Sequence, residues 1–131
     1  MFVTTGNTET IKTTSWKVVL PFYGYAALAF LIATMLLLLS ASDITTHYFL
    51  PHTLAIIHLM AIGWGTMIIF GASHQLVPVL IEGKLYSNNL AFASFILAGA
   101  GIPLLVSGFY FFNVGLYTWC GAILIILAII T

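Results

Sequence analysis

Four long apolar runs occupy most of this chain, and its charged residues lie outside them. Of the 131 residues, 62% are hydrophobic and only 5% are charged. A soluble domain carries about 25% charged residues, so this chain has too little charge to cover a surface facing water. The charged side chains lie in the N-terminal segment, at the entrance to the first run and in the two links that follow: Glu9, Lys12, Lys17, Asp43, Glu82 and Lys84. This pattern predicts an integral membrane protein, which has the lipid bilayer as a partner.

The lengths of the runs predict the number of spans. A helix needs about 20 apolar residues to cross a hydrocarbon core about 30 Å thick. The runs predict four spans, at about 18–41, 51–81, 88–110 and 116–131. Backbone polar groups in lipid must bond internally, and the runs are continuous where a β-barrel strand would alternate. We therefore expect an all-α bundle of about four transmembrane helices (16–131) behind a polar N-terminal tail (1–15).

The charged residues also predict how the chain is oriented in the membrane, and they argue against nucleic acid as a partner. The net charge is zero, which gives no support for nucleic-acid binding. All three lysines fall on one side of the four-span layout, and Asp43 falls on the other. Because positively charged loops stay in the cytoplasm, we expect the N-terminus there, in a bacterial inner membrane. The single cysteine, Cys120, excludes a disulfide within one chain.

The C-terminal run ends at Thr131 without a charged or aromatic flank, and it is slightly short for a full crossing. A membrane span is usually followed by polar residues. We therefore expect the chain to be the N-terminal part of a larger bundle, or a truncated protein.

Polar chemistry is concentrated in or beside the second run, which carries His47, His52, His58 and His74. An ionisable side chain inside a span is a functional candidate, and imidazole is a common ligand of transition metals and haem iron. Helix geometry separates the four: His52 and His74 are about 33 Å apart at 1.5 Å per residue. No pair has the i, i+4 spacing that places two ligands on one metal. Any metal site must therefore take ligands from another helix.

His58 is the leading candidate ligand. It lies about two turns inside the span, and the small residues Ala61 and Gly65 lie on neighbouring turns, where they leave room for a flat macrocycle. The same small residues also suit close helix packing, with the imidazole bonded to a neighbouring helix. Spacing alone leaves both interpretations open.

His74 is a second candidate metal ligand, near the other end of the run and just before Pro78. Proline has no N–H to donate to the carbonyl one turn earlier, so the helix can bend there. His74 either occupies a polar internal site or reaches the cytoplasmic headgroup layer, and both interpretations stay open.

The segment from His58 to Pro78 has a characteristic set of residues: His58, Met60, Gly63, Trp64, Gly71, Val77 and Pro78. At these positions it resembles the NnrS family, membrane proteins with haem and copper that are linked to nitric oxide metabolism. It is also similar to the second helix of haem–copper oxidase subunit I and of nitric oxide reductases. The resemblance covers about residues 50–82 and implies that His58 is an axial ligand of a low-spin haem.

The segment departs from those families in two places. NnrS proteins usually have a second histidine two positions before the matched one, where this chain has Ile56. The oxidases take their other haem and copper ligands from later helices, and this chain has no histidine after His74. The chain alone therefore lacks a full ligand set, and a copper centre would need ligands from elsewhere. Further helices, a partner subunit or a second copy of the chain would have to supply them.

Two functions follow as expectations. The resemblance implies a haem-binding membrane protein, part of an oxidoreductase that carries electrons or acts on oxygen or nitric oxide. The alternative is a non-catalytic membrane module or transporter fragment, in which the histidines pack or line a pathway.

A stripe of small residues marks the third run. Ser94, Gly101 and Gly108 recur every seven positions. Small residues let helices approach closely in lipid, so this stripe predicts packing against a neighbouring helix in preference to a cofactor groove.

Overall fold

The computed structural model describes residues 14–44, 49–83 and 85–131, and the side chains of residues 43 and 44 are outside the description. The described residues form an all-α bundle, as predicted. Its helices are α1 (Trp16–Leu39), the short α2 (Ala41–Ile44), α3 (Pro51–Leu80), α4 (Asn88–Tyr110) and α5 (Leu116–Ile130). The four long helices begin and end within two residues of the predicted spans. His47, Lys12, Lys84 and most of the predicted tail lie outside the described residues.

Three of these helices, α1, α3 and α4, are long and apolar enough to cross a membrane. They identify the chain as an integral membrane protein. The 15 residues of α5 are equally apolar but shorter. At 1.5 Å per residue, the 30 residues of α3 extend about 45 Å, so α3 must tilt or project beyond a core about 30 Å thick.

Successive long helices run in opposite directions, so helix starts and helix ends lie together at each end of the bundle. His52 contacts Tyr110, so the start of α3 lies beside the end of α4. Thr14 contacts His74, so the entrance to α1 lies beside the end of α3. We call these two ends the Pro51 side and the Leu80 side.

Local signals explain where the helices begin and end. Pro51 occupies the first turn of α3, where its missing N–H costs nothing, and the Ser87 side chain caps α4 by accepting from the Leu90 amide. Two residues after the last residue of α3 and of α4, the backbone is left-handed, at Glu82 (φ 50°) and at Phe112 (φ 52°). The amide of the next residue then donates back to a carbonyl five positions earlier, which closes the helix and forces a turn.

The central helix α3 contains an internal π-helical segment, Leu59–Thr66. Before it, the α-helical part Pro51–His58 packs mainly against α4. After it, the part Met67–Leu80 packs against α1. Segments with i→i+5 hydrogen bonds are rare and are frequent at functional sites.

Close packing between α4 and α5 confirms the prediction from the small-residue stripe. All three stripe residues are buried. A Cβ added at Gly101 would lie 2.8 Å from the Gly121 carbonyl oxygen, and one at Gly108 would overlap the Thr118 hydroxyl. These two glycines therefore let the helices touch at the backbone.

Candidate functional site

The His58 ring is held in one defined tautomer. Its Nδ1 lies 2.7 Å from the carbonyl oxygen of Leu54, one turn earlier in α3. Because a carbonyl oxygen can only accept a hydrogen bond, Nδ1 must carry the proton. In the neutral ring, Nε2 then keeps its lone pair. A backbone carbonyl on one ring nitrogen is the usual way in which proteins orient a histidine that ligates a metal through the other.

Phe109 of α4 supports the flat side of this ring. The two ring centroids are 4.1 Å apart and the planes are inclined by 27°, which is a stacked arrangement. His58 is half-buried, and the π-helical segment begins at the next residue. One aromatic face and one backbone bond therefore fix the imidazole.

The two small residues predicted to accommodate a macrocycle lie within the π-helical segment. Ala61 is exposed. At Gly65, the nearest atom to an added Cβ would be the Met60 carbonyl oxygen, at 3.6 Å. Neither residue is therefore closely packed against another helix. Their role beside a haem stays a prediction.

His74 uses the same backbone hydrogen bond but has different neighbours. Its Nδ1 lies 2.8 Å from the Phe70 carbonyl oxygen. The ring contacts Phe22 of α1, with centroids 5.2 Å apart. Phe22 is only 1% exposed and also contacts Phe70 and Phe95 in an aromatic cluster. His74 is therefore half-buried against the apolar core of the Leu80 side.

The backbone at His74 reveals a contact that was not predicted. Pro78 has no N–H, so it cannot donate to the His74 carbonyl oxygen. The hydroxyl of Thr14 takes its place, donating to this oxygen over 2.7 Å. The last residues of the predicted tail are thus anchored to α3, and α3 continues through Pro78 to Leu80.

Pro103 in α4 has a matching arrangement. It leaves the Gly99 carbonyl oxygen without its amide donor, and the hydroxyl of Tyr25 in α1 donates to that oxygen over 3.1 Å. The two prolines could have been recognised from the sequence as sources of unpaired carbonyls. The donors could not, because they come from residues far away in the chain.

The glycines of the resemblance segment have packing roles. A Cβ at Gly63 would lie 3.0 Å from the Cβ of Ala29 in α1 and 3.5 Å from Ile102 in α4. At Gly71, it would lie 3.2 Å from the Cβ of Phe22. Both glycines let α3 approach its neighbours, so their presence in the segment does not require a cofactor.

The histidines do not share a site. His58 and His74 are about 24 Å apart along α3 at 1.5 Å per residue, and their rings contact different helices. His52 lies against Tyr110, with ring centroids 4.7 Å apart. Within residues 14–44, 49–83 and 85–131, no group of three or more His, Cys, Asp or Glu side chains could hold a metal ion.

The residues around His58 fit one axial bond to a haem iron and not a complete site. Nδ1 of the ring is already bonded to a backbone carbonyl oxygen, which leaves Nε2 as the nitrogen that could bind iron. The described part of the chain holds no cluster of three or more His, Cys, Asp or Glu side chains there, and the His52 and His74 rings lie against Tyr110 and Phe22. Comparisons with protein-family models, with curated proteins and with solved structures found no match for this chain.

Proposed function

We propose that this integral membrane protein binds haem through Nε2 of His58 and serves in electron transfer or in oxygen or nitric oxide chemistry, as the resemblance to haem–copper oxidase subunit I and to NnrS implies. The observation that carries the proposal is the setting of the His58 ring: Nδ1 is bonded to the Leu54 carbonyl oxygen, which directs Nε2 away from that backbone, and the space beside Gly65 on the next turns is open. The stacked Phe109 ring and the adjoining π-helical segment support the same role.

The residues of this chain would orient the His58 imidazole and shield one side of it from water. The Leu54 carbonyl would accept from Nδ1 and so orient the ring with Nε2 available to the iron. Phe109 restricts rotation of the ring and keeps water from one side of it. A bound haem would supply a redox-active iron, whose potential depends on such hydrogen bonding and burial. The second axial ligand, and any copper ligands, would come from another copy, a partner subunit or further helices.

The test is haem content in variants of the two histidines. The chain is expressed with a haem supply, purified in mild detergent, and its absorbance is recorded. We expect a Soret band that His58→Ala removes and that the matched variant His74→Ala keeps. Wild-type band positions in the oxidised and reduced states report the ligands. Full haem content in His58→Ala would refute the ligand assignment.

One observation favours the alternative, a non-catalytic membrane module or transporter fragment. Gly63, Gly71 and both half-buried histidines have packing partners without any cofactor. This alternative predicts that wild-type protein from haem-supplied cells has no Soret band and keeps the same stability when haem is added.

We place the chain in a bacterial inner membrane with its N-terminus in the cytoplasm. The lysine distribution supports this orientation. Cys120 is the only cysteine, so a Cys120→Ser background allows a single reporter at Asn113, an exposed residue in the link after α4. In intact cells whose outer membrane has been permeabilised, an impermeant maleimide should label Asn113→Cys. Labelling only after the inner membrane is broken would reverse the orientation.

A further inference from the structure

A cleft with a volume of about 300 Å³ lies between α1 and α4 on the Pro51 side. The two helices are joined at its inner end, where the Tyr25 hydroxyl donates to the Gly99 carbonyl oxygen. Beyond that point they separate, and Leu59 of α3 lines the cleft between them. On the Leu80 side of that bond the two helices are in contact through the Phe95 ring, which lies against Phe22 and Tyr25.

The length of the cleft matches one leaflet of a bilayer. Its lining on α1 runs from Tyr25 to Leu36, which is about 16 Å at 1.5 Å per residue. On α4 it runs from Ile102 to Phe111, about 14 Å. Half of a hydrocarbon core is about 15 Å. The cleft therefore extends from near the middle of the membrane to the interface on the Pro51 side.

The chemistry of the lining selects an apolar occupant. Leucine, isoleucine and valine supply half of its lining residues, and all but one of the others are alanine, proline or aromatic residues. Two of its hydroxyls are already used by the backbone: Tyr25 bonds to Gly99, and Ser107 donates to the Leu104 carbonyl oxygen over 3.0 Å. Tyr110, whose amphipathic ring suits the membrane interface, lines the outer end. An occupant therefore gains apolar contact along the cleft and can place a polar group only at its mouth.

The size of the cleft distinguishes between occupants. A helix is 10–12 Å wide, so a segment about 16 Å long has a volume of more than about 1,200 Å³, and only some of its side chains could enter a cleft of about 300 Å³. A single hydrocarbon chain is the narrower object, and it is the material that surrounds the cleft in a membrane. We propose that the cleft binds one acyl chain of a bilayer phospholipid from the leaflet on the Pro51 side.

The test is lipid retention measured by native mass spectrometry. The chain is extracted without added haem from membranes into mild detergent. Val106→Phe and Ser107→Leu each add bulk to the α4 wall of the cleft. Val77→Phe is the matched control, since Val77 is 48% exposed on α3 and does not line the cleft. Circular dichroism checks that each variant is helical.

We expect wild type and Val77→Phe to retain one phospholipid per chain. Retention should fall about tenfold or more in Val106→Phe and Ser107→Leu, as a loss of about 1.4 kcal/mol of contact would produce. Equal retention in all four proteins, or none in wild type, would overturn the proposal. So would a lipid-free dimer that Val106→Phe dissociates, which would assign the cleft to a second copy. If Val106→Phe does not fold, Ser107→Leu decides.

Discussion

His58 and His74 make the same hydrogen bond in the same helix, yet they belong to different surroundings. Each donates from Nδ1 to the carbonyl oxygen four residues earlier, and each ring lies against a phenylalanine. At His74, the phenylalanine belongs to a buried aromatic cluster, and the histidine's own carbonyl is held by Thr14. At His58, the ring lies against Phe109 alone among the aromatic rings of the described residues, and open space lies beside Gly65 in the π-helical segment that follows.

This difference shows why a tautomer alone does not identify a ligand. The backbone bond engages Nδ1 in the same way at both positions, so it cannot distinguish a metal ligand from a packed histidine. The surroundings of the two rings do distinguish them. His74 has packing contacts that explain why it is there, whereas the contacts of His58 orient the ring and leave one side of the helix open. Substitutions at and around the two histidines can break this contrast.

The largest effect on stability is expected at His74. His74→Ala removes a ring packed against Phe22 in the core of the Leu80 side, and we expect it to lower the free energy of unfolding by about 2 kcal/mol. His58→Ala in the absence of haem should cost about 1 kcal/mol, because only one aromatic contact and one exchangeable bond are lost. Reversible unfolding in mixed micelles, followed by circular dichroism, measures both. Equal costs would remove the contrast between the two positions.

Two glycines in α3 should respond with opposite signs. Gly71→Ala places a Cβ 3.2 Å from that of Phe22, so α1 must shift, and we expect a loss of about 1 kcal/mol. Gly65→Ala meets only the Met60 carbonyl oxygen at 3.6 Å, so helix propensity should raise stability by up to about 1 kcal/mol. The same unfolding assay compares them. A loss at Gly65 as large as that at Gly71 would show that the Ala61–Gly65 side is packed.

A smaller effect is expected from the Thr14 hydroxyl. Thr14→Val leaves the His74 carbonyl oxygen without a donor and should cost about 1 kcal/mol or somewhat less. Pro78→Ala restores an amide that can donate to this oxygen, so in that background the cost of Thr14→Val should disappear. The unfolding free energies of the two single variants and the double variant form the test. An unchanged cost in the Pro78→Ala background would mean that Thr14 acts in another way.

The smallest effect is expected at Tyr25, whose bond to the Gly99 oxygen is longer, at 3.1 Å. Tyr25→Phe keeps the ring and loses the hydroxyl, with an expected cost of about 0.6 kcal/mol. Pro103→Ala is the matching background, in which we expect no cost. If Tyr25→Phe costs the same in both backgrounds, the hydroxyl does not compensate for the proline.

Much of the fold could be predicted from the sequence, because it depends on local composition. The apolar runs fix the four long helices, three of which are long enough to cross the bilayer, and the small residues of α4 identify its contact with α5. The site depended on contacts between distant parts of the chain. Pro78 and Pro103 indicate which carbonyls lack an amide donor, but Thr14 and Tyr25 are identified only by the packing of α1.

Two other features could not be predicted for related reasons. Phe109 resembles any other phenylalanine in an apolar run, and only the antiparallel arrangement of α3 and α4 brings it to His58. The π-helical segment Leu59–Thr66 contains no proline and matches no local pattern that separates i→i+5 from i→i+4 bonding. Its glycines, Gly63 and Gly65, would be equally acceptable in a membrane α-helix.

The π-helical segment also determines how many neighbouring helices α3 can pack against. Each i→i+5 turn encloses one residue more than an α-helical turn, so the segment rotates the second half of α3 relative to the first. The first half faces mainly α4, and the second half faces α1. Deleting one residue between Leu59 and Thr66 would remove this angular offset. One half would then lose its partner, although every side chain in both halves would still be present.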